Sequence, residues 1–223
     1  MMTNLFSTFD PATSTNMSMN WMSSMLVFTL LPMPMWNTPN RAKMIIDMIS
    51  LKLHKEFSLL LSVNSKGMTL MMISYFMFIL TNNYMGLLPY VFTSSSHLTF
   101  SLTMALPMWL SLMMFGWINH TNHMFSHLVP SGTPSMLMPF MVMIETISNI
   151  MRPGSLAVRL TANMIAGHLL MSLLGNNSMN ASYMTMIMIF SIQLLLMMFE
   201  TSVTLIQAYV FSVLSTLYTS EVI

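Results

Sequence analysis

Glu145, Arg152 and Arg159 recur at intervals of seven residues, and Asn163 follows Arg159 by four. Seven residues carry a helix through nearly two turns, so on one helix all four project from one face. Pro153 stands between the two arginines and makes that alignment approximate. Glu200, Thr204 and Gln207 form a second stripe, with Glu221 about four turns beyond Gln207. His168 follows Arg159 by nine and points toward the far side of the same predicted helix. Carboxyls and imidazoles can take up and release protons near neutral pH, depending on burial and neighbours. A guanidinium cannot, because its pKa lies above about 12. Such a set can relay protons around one fixed cation. Glu200 and His168 come within pairing range if the two helices form a hairpin.

Arg159 is the only Asp, Glu, Lys or Arg between Gly154 and Phe199. Holding a guanidinium at the centre of a bilayer costs about 2.5–3.5 kcal/mol on insertion scales. Charged residues are 6% of the 223 and hydrophobic ones 55%, and none of the former occurs between Gly67 and Ile144. A soluble domain carries about 25% charged residues. The composition therefore describes a single all-α integral membrane domain over 1–223. A net charge of +1 gives no sign of a nucleic-acid partner. No cysteine is present, which excludes disulfides and thiolate metal sites. The 33 methionines spread over every apolar segment, as a soft filler in place of Leu and Ile does. No transit sequence or cleavable leader is apparent, so insertion is expected where the chain is made.

The elements that must position these groups follow from apolar run length. A transmembrane helix is expected over 17–35, short and closed by Pro32 and Pro34. The stretch 41–63 holds five of the seven basic residues in or beside it (Arg41, Lys43, Lys52, Lys55, Lys66). Ile46, Ile49, Leu53, Phe57 and Leu60 fall at helical spacing opposite the charges, which predicts an amphipathic helix on the membrane surface. The positive-inside rule puts it on the matrix or cytoplasmic side and the N-terminus on the other. Runs at 68–88 and 98–118 predict a transmembrane hairpin joined by a short polar link. Runs at 134–174 and 183–219 amount to about 60 and 55 Å of helix, where about 30 Å suffices. They predict two long, strongly tilted helices, with two upright spans apiece as the alternative.

Other constellations are weaker. His120, His123 and His127 have the spacing of a helical metal triad but are read as part of a solvated polar loop, without a nearby carboxylate. Asn-X-Ser/Thr occurs at Asn16, Asn119, Asn176 and Asn180, and matters only in the secretory pathway. No phosphate loop, nucleophile elbow or kinase signature appears, so neither a directly bound nucleotide nor another cofactor is expected. The two polar stripes could act only as interhelical glue. That accounts for Asn163 and Gln207 better than for an arginine and two carboxylates. A self-contained transporter would show internal repeats with broken helices, and none is visible.

The run LAVRLTANMIAGHLL at 156–170 resembles the signature of subunit a of F-type ATP synthase. IETIS at 144–148, AYVF from Ala208, GLLP at 86–89 and PSGTP at 130–134 match in the same order, most closely to the animal mitochondrial form. The resemblance implies a proton-conducting stator subunit of the mitochondrial inner membrane. Its partners would be a ring of proteolipid c subunits, the peripheral stalk, other membrane-sector subunits and the lipid bilayer. Arg159 would face the ring carboxylate. His168 and Glu200 would belong to the half-channel from the intermembrane space, with Glu221 near its mouth. Glu145 would belong to the exit toward the matrix, and Asn163 and Gln207 would sit beside Arg159. The loop at 117–124 departs from the family in lacking basic residues.

Overall fold

A computed structural model describes residues 4–32, 38, 40–61, 67–129, 133–178 and 182–222. The helices are α1 (Leu26–Leu30), α2 (Arg41–Leu60), α3 (Met68–Gly86), α4 (Leu98–Asn119), α5 (Thr121–Leu128), α6 (Met138–Ser178) and α7 (Tyr183–Val222). Short 3-10 helices occur at Leu5–Phe9, Met19–Met25 and Ser94–Ser96. Among the described residues, α4, α6 and α7 are long and apolar enough to cross a membrane by length and composition. α3 ends in Thr81, Asn82 and Asn83, which lower its hydropathy, and both asparagines are buried.

The two long runs are single continuous helices, about 60 Å each at 1.5 Å per residue. α6 carries Pro153 inside it, on its buried side. It begins four residues after Pro134, which instead opens a preceding turn through the Leu137 amide at 3.0 Å. It also runs past Gly175 to Ser178. A helical glycine costs only about 0.5–1 kcal/mol, and the Ser178 hydroxyl still donates back to the Gly175 carbonyl at 2.6 Å.

Residues 17–32 do not form the single helix expected over 17–35; 33–35 lie outside the described residues. Met19–Met25 tightens into 3-10 geometry, and α1 adds little more than one α-turn. Ser24 donates to the Trp21 carbonyl at 2.8 Å and Ser23 to the Phe92 carbonyl at 3.0 Å. Short polar side chains that bond nearby backbone compete with the α-helical ladder. The region 121–128 is likewise a helix, α5, and not the loop read from sequence.

One core ties the helices together. It comprises Leu53 and Phe57 of α2, Met72, Phe76 and Ile79 of α3, Ala105, Met108 and Leu112 of α4, Leu156, Ala157 and Leu160 of α6, and Ala208 and Phe211 of α7. Thus α2 buries Leu53 and Phe57, while Ile49 and Leu60 of the same expected face are exposed. α7 turns Thr204, Ala208, Ser212, Ser215, Thr216 and Thr219 inward. Small and hydroxyl side chains at helical spacing let neighbouring backbones approach closely. The opposite side of α7 exposes Met188, Leu195, Met198, Phe199 and Ile206, as a surface meeting hydrocarbon would.

Gly67 caps the start of α3 at φ 91°, a left-handed conformation that glycine adopts without a Cβ clash. The link from α3 to α4 is polar, as expected, but Thr93 to Ser96 are buried against α6.

Candidate functional site

α6 and α7 pack against each other, and the polar groups line up along their seam. At one end, Arg152 reaches across to α7. Its guanidinium donates to Glu221 and lies 5.0 Å from the centre of the Tyr218 ring. It also stands 3.8 Å from Glu145, one helical repeat earlier. These groups share the wall of a cavity of about 490 Å³ with His127, Thr146 and Asn149. Glu145 and Glu221 therefore occupy one site. The sequence alone placed Glu221 instead at the mouth of the half-channel that holds His168 and Glu200. Glu145 and Glu221 meet for a topological reason: in an antiparallel hairpin the start of α6 meets the end of α7.

Arg159 lies about two turns further along α6. It is exposed, and it shares a crevice with Gln207, Leu156, Leu160, Val210 and Phe211. Among the described residues no carboxylate lies within 4.0 Å of the Arg159 guanidinium, and no hydrogen bond reaches it. Among the described residues the intrachain ion pairs both involve Arg152. The cation that looked most costly from sequence thus has no ion-pair partner among the described residues of its own chain.

Beyond the crevice, Asn163, Gly167 and His168 of α6 face Glu200, Val203 and Gln207 of α7 around a cavity of about 300 Å³. Gln207 lines both this cavity and the Arg159 crevice. Glu200 is buried against Gly167, where an added Cβ would lie 2.7 Å from the carboxyl carbon. Only glycine permits that approach. Glu200 Oε2 and His168 Nε2 are buried without hydrogen-bond partners among the described residues. Such atoms are expensive to leave unpaired. His168 and Glu200 are not bonded to each other; they share a wall.

His168 also lines a second, wider cavity of about 910 Å³ with Asp10, Gly86, Ser172 and Gln193. The order along the seam is therefore Glu145–Arg152–Glu221, then Arg159 with Gln207, then Asn163, then Glu200 with His168, then the wide cavity. Two cavities that hold titratable groups thus lie along the seam on either side of Arg159 and its narrow crevice.

The three loop histidines separate. His123 and His127 face each other on α5 with Nε2 atoms 3.3 Å apart, and His120 packs on Phe115. Among the described residues no group of three His, Cys, Asp or Glu side chains is placed to hold a metal ion.

Sequence reasoning missed the Arg152–Glu221 pair and the close fit of Gly167 on Glu200. The glycine inside an otherwise apolar helix was a signal of close approach. Nothing in the local pattern announced the ion pair.

The family model described as ATP synthase A chain matches residues 15–220. ATP synthase subunit a of Aedes albopictus is 60% identical over 225 residues, covering all of both chains. The same subunit of Anopheles gambiae is 59% identical and that of Drosophila yakuba 58%, again over the full length of each. With this coverage the chain belongs to the ATP synthase A chain family.

Proposed function

We propose that this chain is the proton-conducting stator subunit in the membrane sector of a rotary ATP synthase of the mitochondrial inner membrane. Two offset aqueous half-channels deliver protons to a carboxylate on a rotating ring of proteolipid c subunits and take them away. Arg159 lies between the channels and prevents leakage. The observation that carries this reading is an exposed guanidinium with no ion pair among the described residues, at a narrow crevice between a cavity lined by Glu145 and Glu221 and one lined by His168 and Glu200.

A proton arriving by His168 and Glu200 neutralises a ring carboxylate, which can then turn through lipid at low cost. Past Arg159 a second channel, at Glu145, removes the proton. Glu221 belongs with Glu145 on that side, since both face Arg152. The bare carboxylate is then drawn to the guanidinium. A fixed cation repels a proton moving directly between the channels, and Arg159 never carries one itself. Each proton falling through 100 mV releases about 2.3 kcal/mol, so several drive one ATP.

The direction follows from charge and topology. The basic helix α2 belongs on the matrix side by the positive-inside rule. α3 carries the chain to the opposite side, where Gly86 lines the wide cavity beside His168. The inlet therefore opens to the intermembrane space, the side of the N-terminus, and the Arg152 cavity to the matrix. α6 and α7, about 60 Å long, must incline strongly to stay within about 30 Å of hydrocarbon. The same disposition lays α2 along the membrane surface and lets α3 and α4 cross the membrane in opposite directions, α3 against α7 and α4 against α6.

Purification in mild detergent tests the class of the protein. A ring of small proteolipids, together with peripheral-stalk and other membrane-sector subunits, is expected to copurify. Isolation of the intact chain without any proteolipid, from membranes that still synthesise ATP, would remove the basis of the proposal.

A further inference from the structure

The wide cavity beside His168 is closed in part by a segment far away in sequence. The 3-10 helix Leu5–Phe9 sets the Phe9 ring edge-on against the His168 ring, with centroids 6.3 Å apart and planes at 84°. The next residue, Asp10, is exposed and lines the same cavity as His168.

This placement is held from several sides. His97 Nε2 donates to the Phe9 carbonyl at 2.9 Å. The His97 ring in turn packs between Trp21 and Phe92, at 5.2 and 5.3 Å. Asn20 donates from its side-chain amide to the Asp10 carbonyl at 3.2 Å, and the Ala12 amide donates to Asp10 Oδ1 at 3.0 Å. The carboxylate is held by the Ala12 amide, on a backbone that Asn20 and His97 hold in turn, and is presented to the cavity. Among the lining residues Asp10 is the one Asp or Glu. Glu200 lies deeper, Glu145 and Glu221 are bound to Arg152, and Asp47 and Glu56 are on α2.

We propose that Asp10 is the outer proton-collecting carboxylate of the inlet, carried on an N-terminal lid that His97 latches over His168. The inference rests on the proposed role of His168. The Asp10 carboxylate takes a proton from hydronium at the mouth and leaves water. It passes that proton through cavity water to the neutral imidazole of His168, which hands it to the Glu200 carboxylate. Glu200 passes the proton on to the ring carboxylate, so Asp10, His168 and Glu200 each return to their starting forms. A negative charge at the mouth of a low-dielectric cleft also raises the local concentration of cations, protons included.

The test uses the assembled complex in mitoplasts, where the outer face of the inner membrane meets the medium. ATP synthesis is measured at a fixed imposed potential, in weak buffer and in concentrated MES, a small diffusible proton donor. In weak buffer Asp10→Asn is expected to fall about tenfold, the low end of what charge focusing contributes to arrival rates. MES should restore the rate, and Asp10→Glu should retain it. A structural defect would not respond to the donor. If Asp10→Asn keeps its full rate in weak buffer while His168→Ala is slow, the collector is disproved and the inlet stands. If MES fails to restore Asp10→Asn, the collector is likewise disproved. If His168→Ala also runs at full rate, both fall together.

Discussion

Replacing Arg159 with alanine is expected to abolish coupled ATP synthesis while leaving the abundance of the assembled complex close to normal. The two halves of that expectation have separate physical grounds. Arg159 is exposed, and among the described residues it makes no ion pair or hydrogen bond within its chain. Removing it leaves no buried partner behind, and it relieves the cost of about 2.5–3.5 kcal/mol of holding the cation in the bilayer. The fold should tolerate the change. Synthesis should fall by about 100-fold or more, the order found when one preorganised electrostatic contact is deleted from a reaction centre. Without the cation nothing draws the deprotonated ring carboxylate across or repels a proton that moves between the channels. Arg159→Lys should recover little. A lysine in a low-dielectric site can lose its proton, and it then becomes a carrier instead of a barrier. Were the subunit only a structural anchor, every Arg159 variant would act through loss of the complex. Measuring complex abundance and coupled synthesis in the same membranes separates these outcomes.

His168→Ala is expected to slow proton uptake by at least about tenfold near neutral pH without dismantling the complex. A positioned proton-transfer group contributes about 10²–10⁴-fold, and water entering the vacated space recovers part of it. His168 and Leu87 line both the wide and the inner cavities, and of the two only His168 can carry a proton, so its imidazole lies where they meet. Its Nε2 has no hydrogen-bond partner among the described residues, so truncation leaves no donor or acceptor stranded. Glu200→Gln should be at least as damaging, because Glu200 is the buried carboxyl on the wall of that inner cavity. The measurement is proton flux through the assembled complex at several pH values. A flux equal to wild type throughout would take His168 out of the path.

Much of the site could be read from residue order. The seven-residue spacing of Glu145, Arg152 and Arg159 needs only helical geometry, and Asn163, Gly167 and His168 follow on the same continuous helix. The lengths of α6 and α7 were legible because long apolar runs without breakers have few alternatives in a membrane. What escaped was long-range. Arg152 meets Glu221 and Phe9 meets His168 through folding of the chain, and no periodicity records which distant residue will be a neighbour. Residues 17–32 misled for the opposite reason. Their apolar content suggested a span, while Asn20, Ser23 and Ser24 diverted the backbone into tighter turns. The start of α6 shows the same competition, since the Thr133-Pro134 signal opens a turn four residues early.

The central claim is tested most directly by a map of the assembled membrane sector that resolves the Arg159 side chain against its surroundings. The account predicts the guanidinium turned out of its own chain, toward the acidic residue of a neighbouring ring helix, with the His168 and Glu145 cavities opening on opposite sides of it. A guanidinium that faces hydrocarbon, or that is bonded to a carboxylate of its own chain and remote from any ring, would contradict it.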